Sequence, residues 1–227
     1  MRRIRIATFN IRHGLGTDER IDLERVAEAM VACDAGLVAL QEVDRGMARS
    51  GRIDQAAVLA RLTGMDVSFH PTLKRAGGLF GLALAARGPV EQRFQRLPRV
   101  AGERRRGVII ARWKGVTVVA THLSAPAGPR PAQLEALAAV AAEQPSPVAV
   151  AGDLNEGRAG LLALTRLGFV PTPYRVTIPA RARHRHIDHV LAGPGLVHVS
   201  SATVRSSASD HRPLVAELGV AEDVSVK

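Results

Sequence analysis

Residues Pro147–Glu156 read PVAVAGDLNE. Four small or β-branched apolar residues, Val148 to Ala151, give way at once to Gly152, Asp153 and Asn155. A short apolar run of this kind reads as a buried strand with polar residues at its end. The pattern recurs along the chain. IRIATFN (4–10) stops at Asn10, AGLVALQEVD (35–44) at Gln41 and Glu42, and VTVVATHLS (116–124) at Thr121 and His122. Two segments reverse it: HIDHVLAG (186–193) and DHRPLVAEL (210–218) put the polar residues first. Strands that end together at one sheet edge deliver their terminal side chains to one crevice. Asn10, Glu42, His122, Asp153 and Asn155 should then converge. Asp188, Asp210 and His211 reach the same edge only on strands running the opposite way. The expected sheet is therefore mixed or antiparallel, not purely parallel.

Helical patterns lie between these runs. DLERVAEAMVAC, Asp22–Cys33, places Leu23, Val26, Ala27 and Met30 on one face, with Asp22 as its N-cap. Asp54–Leu62 is a second helix, and Arg130–Glu143 is a third, with Pro131 in its first turn. Gly160–Leu167 is a short fourth that stops at Gly168. Strands alternating with helices give an α/β protein. Stretches rich in Gly, Pro and Arg at 71–78 and 98–107 read as loops rather than linkers, so one domain over residues 1–220 with a tail at 221–227 is expected.

The 227 residues carry a formal net charge of +10, and all but three of the 31 basic residues are Arg. The Arg fork matches phosphate, so the balance fits an anionic partner such as nucleic acid. It equally fits plain surface solvation. Cys33 is the only cysteine, which excludes an intrachain disulfide and CxxC metal sites. The start shows no long apolar stretch, and no run reaches the length of a membrane span. The expectation is a cytoplasmic monomer.

Each polar residue has an ordinary structural reading by itself. Asn10 could cap a strand, Glu42 and Asp44 could sit in a solvated loop, and GDLN could be an Asx turn. His122 could be a satisfied structural histidine, Asp188 could tie a loop, and Asp210 could cap a turn. Six segments supplying Asn, Asp, Glu or His to one edge are another matter. Oxygen donors from Asn10, Glu42, Asp153, Asn155 and Asp210 suit a hard cation, Mg²⁺ or Mn²⁺. His122 and His211 are not at zinc spacing and suit proton transfer or contact with a phosphoryl oxygen.

The segments TFNIRHG (8–14), LVALQEVD (37–44), ATHLS (120–124), AVAGDLNE (149–156), HIDHVL (186–191) and SASDHRPLVAEL (207–218) together resemble the endonuclease/exonuclease/phosphatase superfamily, the group of pancreatic deoxyribonuclease. The ordered set is specific and spans residues 8–218. The resemblance implies a four-layer α/β sandwich, two mixed sheets packed face to face with helices outside, and metal-dependent hydrolysis of a phosphate ester. It implies Glu42 as main metal ligand, with Asn10 and Asp210 beside it. Asp153 would orient or deprotonate water, and Asn155 would hold the phosphate or nucleophile. His122 and His211 would act on the phosphate, one of them polarised by Asp188. Which carboxylate is the base stays open.

The chain departs from the pattern in places. In GLALAAR (81–87), Leu82 stands where the family often has an amide. Glu103 resembles a family Glu at altered spacing, and the adjacent Arg104 is a candidate substrate contact, although the run Arg104–Arg106 also reads as a solvated face. The motifs NIRHG, QEVD and HIDH lack the features of the abasic-site nucleases. Trp113 and Tyr174, the only Trp and Tyr, offer little for stacking on bases. Three readings compete: a phosphodiesterase of DNA or RNA, a hydrolase of a small or lipid phosphate, and an inactive member that binds nucleic acid.

Overall fold

The structure is a computed structural model and describes residues 1–75, 77–99, 104–178 and 185–221. Among the described residues, twelve strands form two six-stranded sheets. They are β1 Arg2–Asn10, β2 Leu37–Arg45, β3 Asp66–Arg75, β4 Gly78–Ala86, β5 Val90–Arg96, β6 Gly107–Trp113, β7 Val116–His122, β8 Val148–Asp153, β9 Val170–Pro171, β10 Asp188–Ala192, β11 Leu196–Thr203 and β12 Leu214–Val220. The first sheet runs β11-β12-β1-β2-β4-β3, and the second runs β5-β6-β7-β8-β10-β9. Both are mixed: β1 with β2 and β7 with β8 are the parallel pairs, and the remaining pairs are antiparallel.

Period-two alternation sorts each strand's side chains into two cores. Ile4 and Ile6 of β1, Leu37 and Ala39 of β2, and Leu82 and Leu84 of β4 meet Val118, Ala120, Ala149, Ala151 and Val190 of the second sheet, forming the core between the sheets. Ala7, Phe9, Val38 and Leu40 point the other way, onto α1 (Leu23–Ala32) and α2 (Gln55–Thr63). Val119, Val148 and Val150 point onto α3 (Arg130–Ala142) and α4 (Leu162–Thr165). The order is helix, sheet, sheet, helix, the expected four layers.

The caps follow their chemistry. The Asp22 carboxylate accepts from the backbone N–H groups of Glu24 and Arg25, and that of Asp54 accepts from Ala57 N–H. One expectation needs correction. Residues 71–75 are not loop but the end of β3, which runs through Pro71. An edge strand tolerates Pro, and the register with β4 shifts between Pro71 and Leu73. Leu82 packs in the inter-sheet core, so its position carries packing rather than a polar contact. Glu103, and the expected tail from residue 222 on, lie outside the described residues. Among the described residues no helix is long and apolar enough to cross a membrane.

Candidate active site

The site is the polar continuation of the inter-sheet core. On β1 the inward series Ile4, Ile6 continues to Thr8 and Asn10; on β8, Ala149 and Ala151 lead to Asp153; on β7, Val118 and Ala120 lead to His122. β10 opens on Asp188 before Val190, and His211 precedes β12. Asp153 is the register partner of both His122 and Asp188. Beneath the site, Thr8 and Gln41 on neighbouring strands hydrogen-bond each other, with Oγ1 3.0 Å from Nε2. This buried polar pair separates the apolar core from the ionisable groups.

Gly152 lets β8 lie close against β7, because a Cβ there would run into the Thr121 carbonyl oxygen. Asp153 follows it and is fully buried. Its Oδ1 accepts the Asn155 N–H at 3.0 Å, so the Asx turn exists, and it turns Asn155 back toward the site. Asn155, at φ 52°, donates through Nδ2 to Leu123 O at 3.0 Å and lies 3.3 Å from His122 Nε2. Asp153 Oδ2 accepts Asn10 Nδ2–H at 3.0 Å and stands 3.4 Å from His122 Nε2 and 3.8 Å from His211 Nε2.

The His211 ring is buried and held through Nδ1 by both Asp188 oxygens, at 2.9 and 3.1 Å. The sequence left open which histidine Asp188 faces, and the fold puts it on His211. Burial opposes a charge on His211, but Asp188 and then Asp153 outweigh it and push the imidazole up to about 10. Asp153 goes up to about 7, through burial first and the Asp188 charge second. His122 is held well below its ordinary value by burial and then by Arg106, His211 and Arg104. Near neutral pH the site thus pairs a cationic His211 with a neutral His122 on either side of one carboxylate.

Glu42 is reached through an irregularity. The β2–β4 register breaks between Leu40 and Val43, and Glu42 takes a left-handed φ of 60°. A non-glycine residue held there costs on the order of 1–3 kcal/mol, and such strain concentrates at functional positions. The bulge re-aims the carboxylate to a cavity of about 300 Å³ that it lines with Phe80, Arg104, Arg106 and His122. Asn10 Nδ2 lies 3.4 Å from Glu42 Oε1, so one amide joins Glu42 and Asp153, while its oxygen accepts the Arg12 N–H.

Asp210 is half-exposed and lies 3.2 Å from Ser209 Oγ and 4.0 Å from Arg12 Nε. Ser209 donates its hydroxyl hydrogen to Asn10 O at 2.8 Å, which ties the 206–212 turn to the end of β1. Among the described residues one set of metal-ligating side chains is compact: single ligand atoms of Asp153, Asp188 and His211 lie within 4.8 Å of one another. In it His211 Nδ1 already serves Asp188, whereas the Asp153 carboxylate and, across Asn10, that of Glu42 are held by neutral amide donors and keep lone pairs for a further partner. Two carboxylates joined by one neutral amide donor offer a pair of oxygen ligands, and donors of this kind fit a hard divalent cation.

Sequence reasoning missed a support. Asp44 does not sit in a solvated loop but is wholly buried, accepting from Arg49 Nε and Nη2 and from Ser50 Oγ, each at 2.9 Å. Its N–H donates to Gln55 Oε1, and Gln55 donates to His13 O. This brace fixes the β2 end two residues beyond Glu42. No local spacing announces it, because the partners lie five, six and eleven residues away.

The sequence profile of the Endonuclease/Exonuclease/phosphatase family matches residues 7–211. No curated protein matches the chain. Among solved structures, an endonuclease/exonuclease/phosphatase from Beutenbergia cavernae is 25% identical, with a TM-score of 0.79 over 97% of this chain and 72% of that one. The human Nocturnin catalytic domain with bound sulfate is 19% identical (TM-score 0.68, 96% and 94% covered). A mannosyl-6-phosphatase from Bacteroides thetaiotaomicron is 14% identical (TM-score 0.68, 95% and 99% covered). These last two share the fold.

Proposed function

The chain belongs to the endonuclease/exonuclease/phosphatase family and is a divalent-metal-dependent phosphoric ester hydrolase; on that premise we propose that it is a phosphodiesterase acting on nucleic acid, with Mg²⁺ as its cation. The observation that carries this reading is the charge at the site. Arg104 and Arg106 line the cavity shared by Glu42 and His122, and Arg12 and Arg49 stand near Asp210 and Glu42. Cations placed around the acidic cluster suit a substrate with more than one phosphate better than a single neutral-bodied ester.

Glu42 would hold the cation, with Asp210 the other acidic side chain at this end, and Asn10 fixes the carboxylates relative to each other. When bound, the cation neutralises charge on the phosphoryl group and its leaving or attacking oxygen. Asp153, raised to about 7, accepts the proton of the attacking water. Neutral His122, 3.4 Å away, is a second acceptor on the same cluster. His211, kept protonated by Asp188, donates through Nε2 to a phosphoryl oxygen as charge builds there. Asn155 orients His122 and closes the cluster.

The test is a panel of plasmid DNA, RNA, bis-p-nitrophenyl phosphate and p-nitrophenyl phosphate, each with Mg²⁺, Mn²⁺ or EDTA. Cleavage of a polynucleotide and the diester with metal alone is expected. Intact DNA and RNA beside a hydrolysed monoester would overturn the substrate reading, and full activity in EDTA would overturn the metal's role. Polynucleotide binding with no ester turned over under any metal would favour an inactive binding protein.

A further inference from the structure

A second cavity, of about 240 Å³, is lined by Gly157, Arg158, Tyr174, Arg185, His186 and Ile187. It adjoins the site directly. Arg158 lies three residues beyond Asn155, and Ile187 O accepts the Leu154 N–H at 2.9 Å just before Asp188. In the second sheet's order the first cavity takes its His122 from β7, and this one lies beyond β8, toward β10 and β9. The Asp153 cluster therefore stands between the two.

His186 makes this cavity unusual. Its side chain is buried, yet among the described residues neither ring nitrogen has a hydrogen-bond partner. Buried polar atoms nearly always have one, and an imidazole with both nitrogens orphaned calls for a ligand or water. Its ring packs 4.4 Å from His189 and meets Tyr174 edge-on at 5.5 Å.

Beside it Arg158 spends one N–H on Thr172 O, at 2.8 Å. Neither Arg158 nor Arg185 has a carboxylate partner among the described residues. A guanidinium fork with free N–H groups is built for phosphate. The one Trp, Trp113, is buried, whereas Tyr174 is 57% exposed at the cavity mouth. The chain's only exposed Tyr or Trp ring thus stands next to two guanidiniums and an unpartnered imidazole.

We propose that Arg158, Tyr174, Arg185 and His186 form a second subsite, which takes the neighbouring phosphate of a polynucleotide strand and stacks its base on Tyr174. The subsite rests on the nucleic-acid reading of the active site. A polynucleotide supplies the groups the cavity addresses: phosphate oxygens for the guanidiniums and an aromatic face for Tyr174, which the buried His186 ring supports edge-on. A substrate with a single phosphate uses none of these contacts.

Arg185→Gln, Tyr174→Leu and His186→Ala test this against wild type. Turnover is measured on bis-p-nitrophenyl phosphate and on single-stranded DNA and RNA oligonucleotides of one sequence. Binding of the fluorescein-labelled oligonucleotides is measured by anisotropy in EDTA. The variants should leave kcat/KM for the small diester unchanged, raise KM for the oligonucleotide about tenfold with little change in kcat, and weaken binding by a like factor. The DNA and RNA arms show which sugar the site prefers. Equal losses on both substrates, or no loss on either, would overturn the subsite. If His186→Ala fails to fold, the exposed Arg185 and Tyr174 variants still decide. If wild type hydrolyses no ester, the active-site reading falls alone, and the binding arm judges the subsite. If the small diester is hydrolysed and no oligonucleotide is bound, the subsite falls while the hydrolase stands.

Discussion

Replacing Arg49, a half-exposed residue, should destabilise the fold more than replacing its buried partner Asp44. The Asp44 carboxylate has no exposure and three side-chain donors at 2.9 Å, two of them on Arg49. Arg49→Ala leaves that carboxylate buried with only Ser50 Oγ and no counter-charge. Breaking a buried pair in this way costs about 3–5 kcal/mol. Asp44→Ala removes the costly charge together with its bonds. The freed guanidinium, 41% exposed, turns to water, and Ser50 keeps Met47 O as acceptor. That loss should be about 2 kcal/mol. The double variant should then be more stable than Arg49→Ala alone, a coupling that a double-mutant cycle measures directly. Urea unfolding followed by fluorescence suits this, since the single Trp113 is buried in the inter-sheet core. An Arg49→Ala cost below about 0.5 kcal/mol, the level of an ordinary surface change, would refute the reasoning. Each single variant should also lower kcat, because the brace anchors the strand two residues beyond Glu42.

Glu42→Ala should lower kcat/KM more than about a hundredfold while leaving the melting temperature unchanged, since the residue sits in a strained bulge; a rate near wild type across a Mg²⁺ titration would remove it from the site. Folding raises the His211 pKa from 6.5 to about 10, so its ion pair stabilises fully below 6.5 and is lost as pH rises through about 10. In EDTA, wild-type melting temperature should therefore fall more steeply than that of Asp188→Asn on the alkaline side, and parallel curves would contradict the pairing. Folding lowers the His186 pKa from 6.5 to about 4, so the unfolded chain takes the proton first and stability declines as pH falls between those values. His186→Gln should flatten that acid limb in thermal melts, and an unchanged slope would argue against a buried neutral ring.

Much of this architecture was readable because apolar alternation and polar strand ends are local signals. Asn10, His122 and Asp153 each terminate an inward-facing series, and the reversed order at Asp188 and His211 requires antiparallel neighbours. What stayed hidden depends on partners distant in sequence. Nothing near Asp188 says that it faces His211, 23 residues on, rather than His122. Asp44 looked solvated because its counter-ion arrives from the following turn. β5 shows no clean alternation because most of it is exposed on a sheet edge. The strand through Pro71 was hidden because local chemistry favours a turn there, and only the β4 pairing overrides it.

The inward-facing series has a mechanical consequence. Asn10, Glu42 and His211 ride on one sheet or its connecting turn, whereas His122, Asp153 and Asp188 ride on the other, and the hydrogen bonds Asn10–Asp153 and His211–Asp188 cross between them. On the proposed mechanism, catalysis is therefore a readout of how the two halves dock. A slip of one sheet over the other would leave every strand hydrogen bond in place yet pull proton donor and acceptor apart. A variant that shifts one sheet over the other should lose turnover while far-ultraviolet circular dichroism stays native, because the site depends on the alignment of the two layers and the spectrum on each layer's own hydrogen bonds.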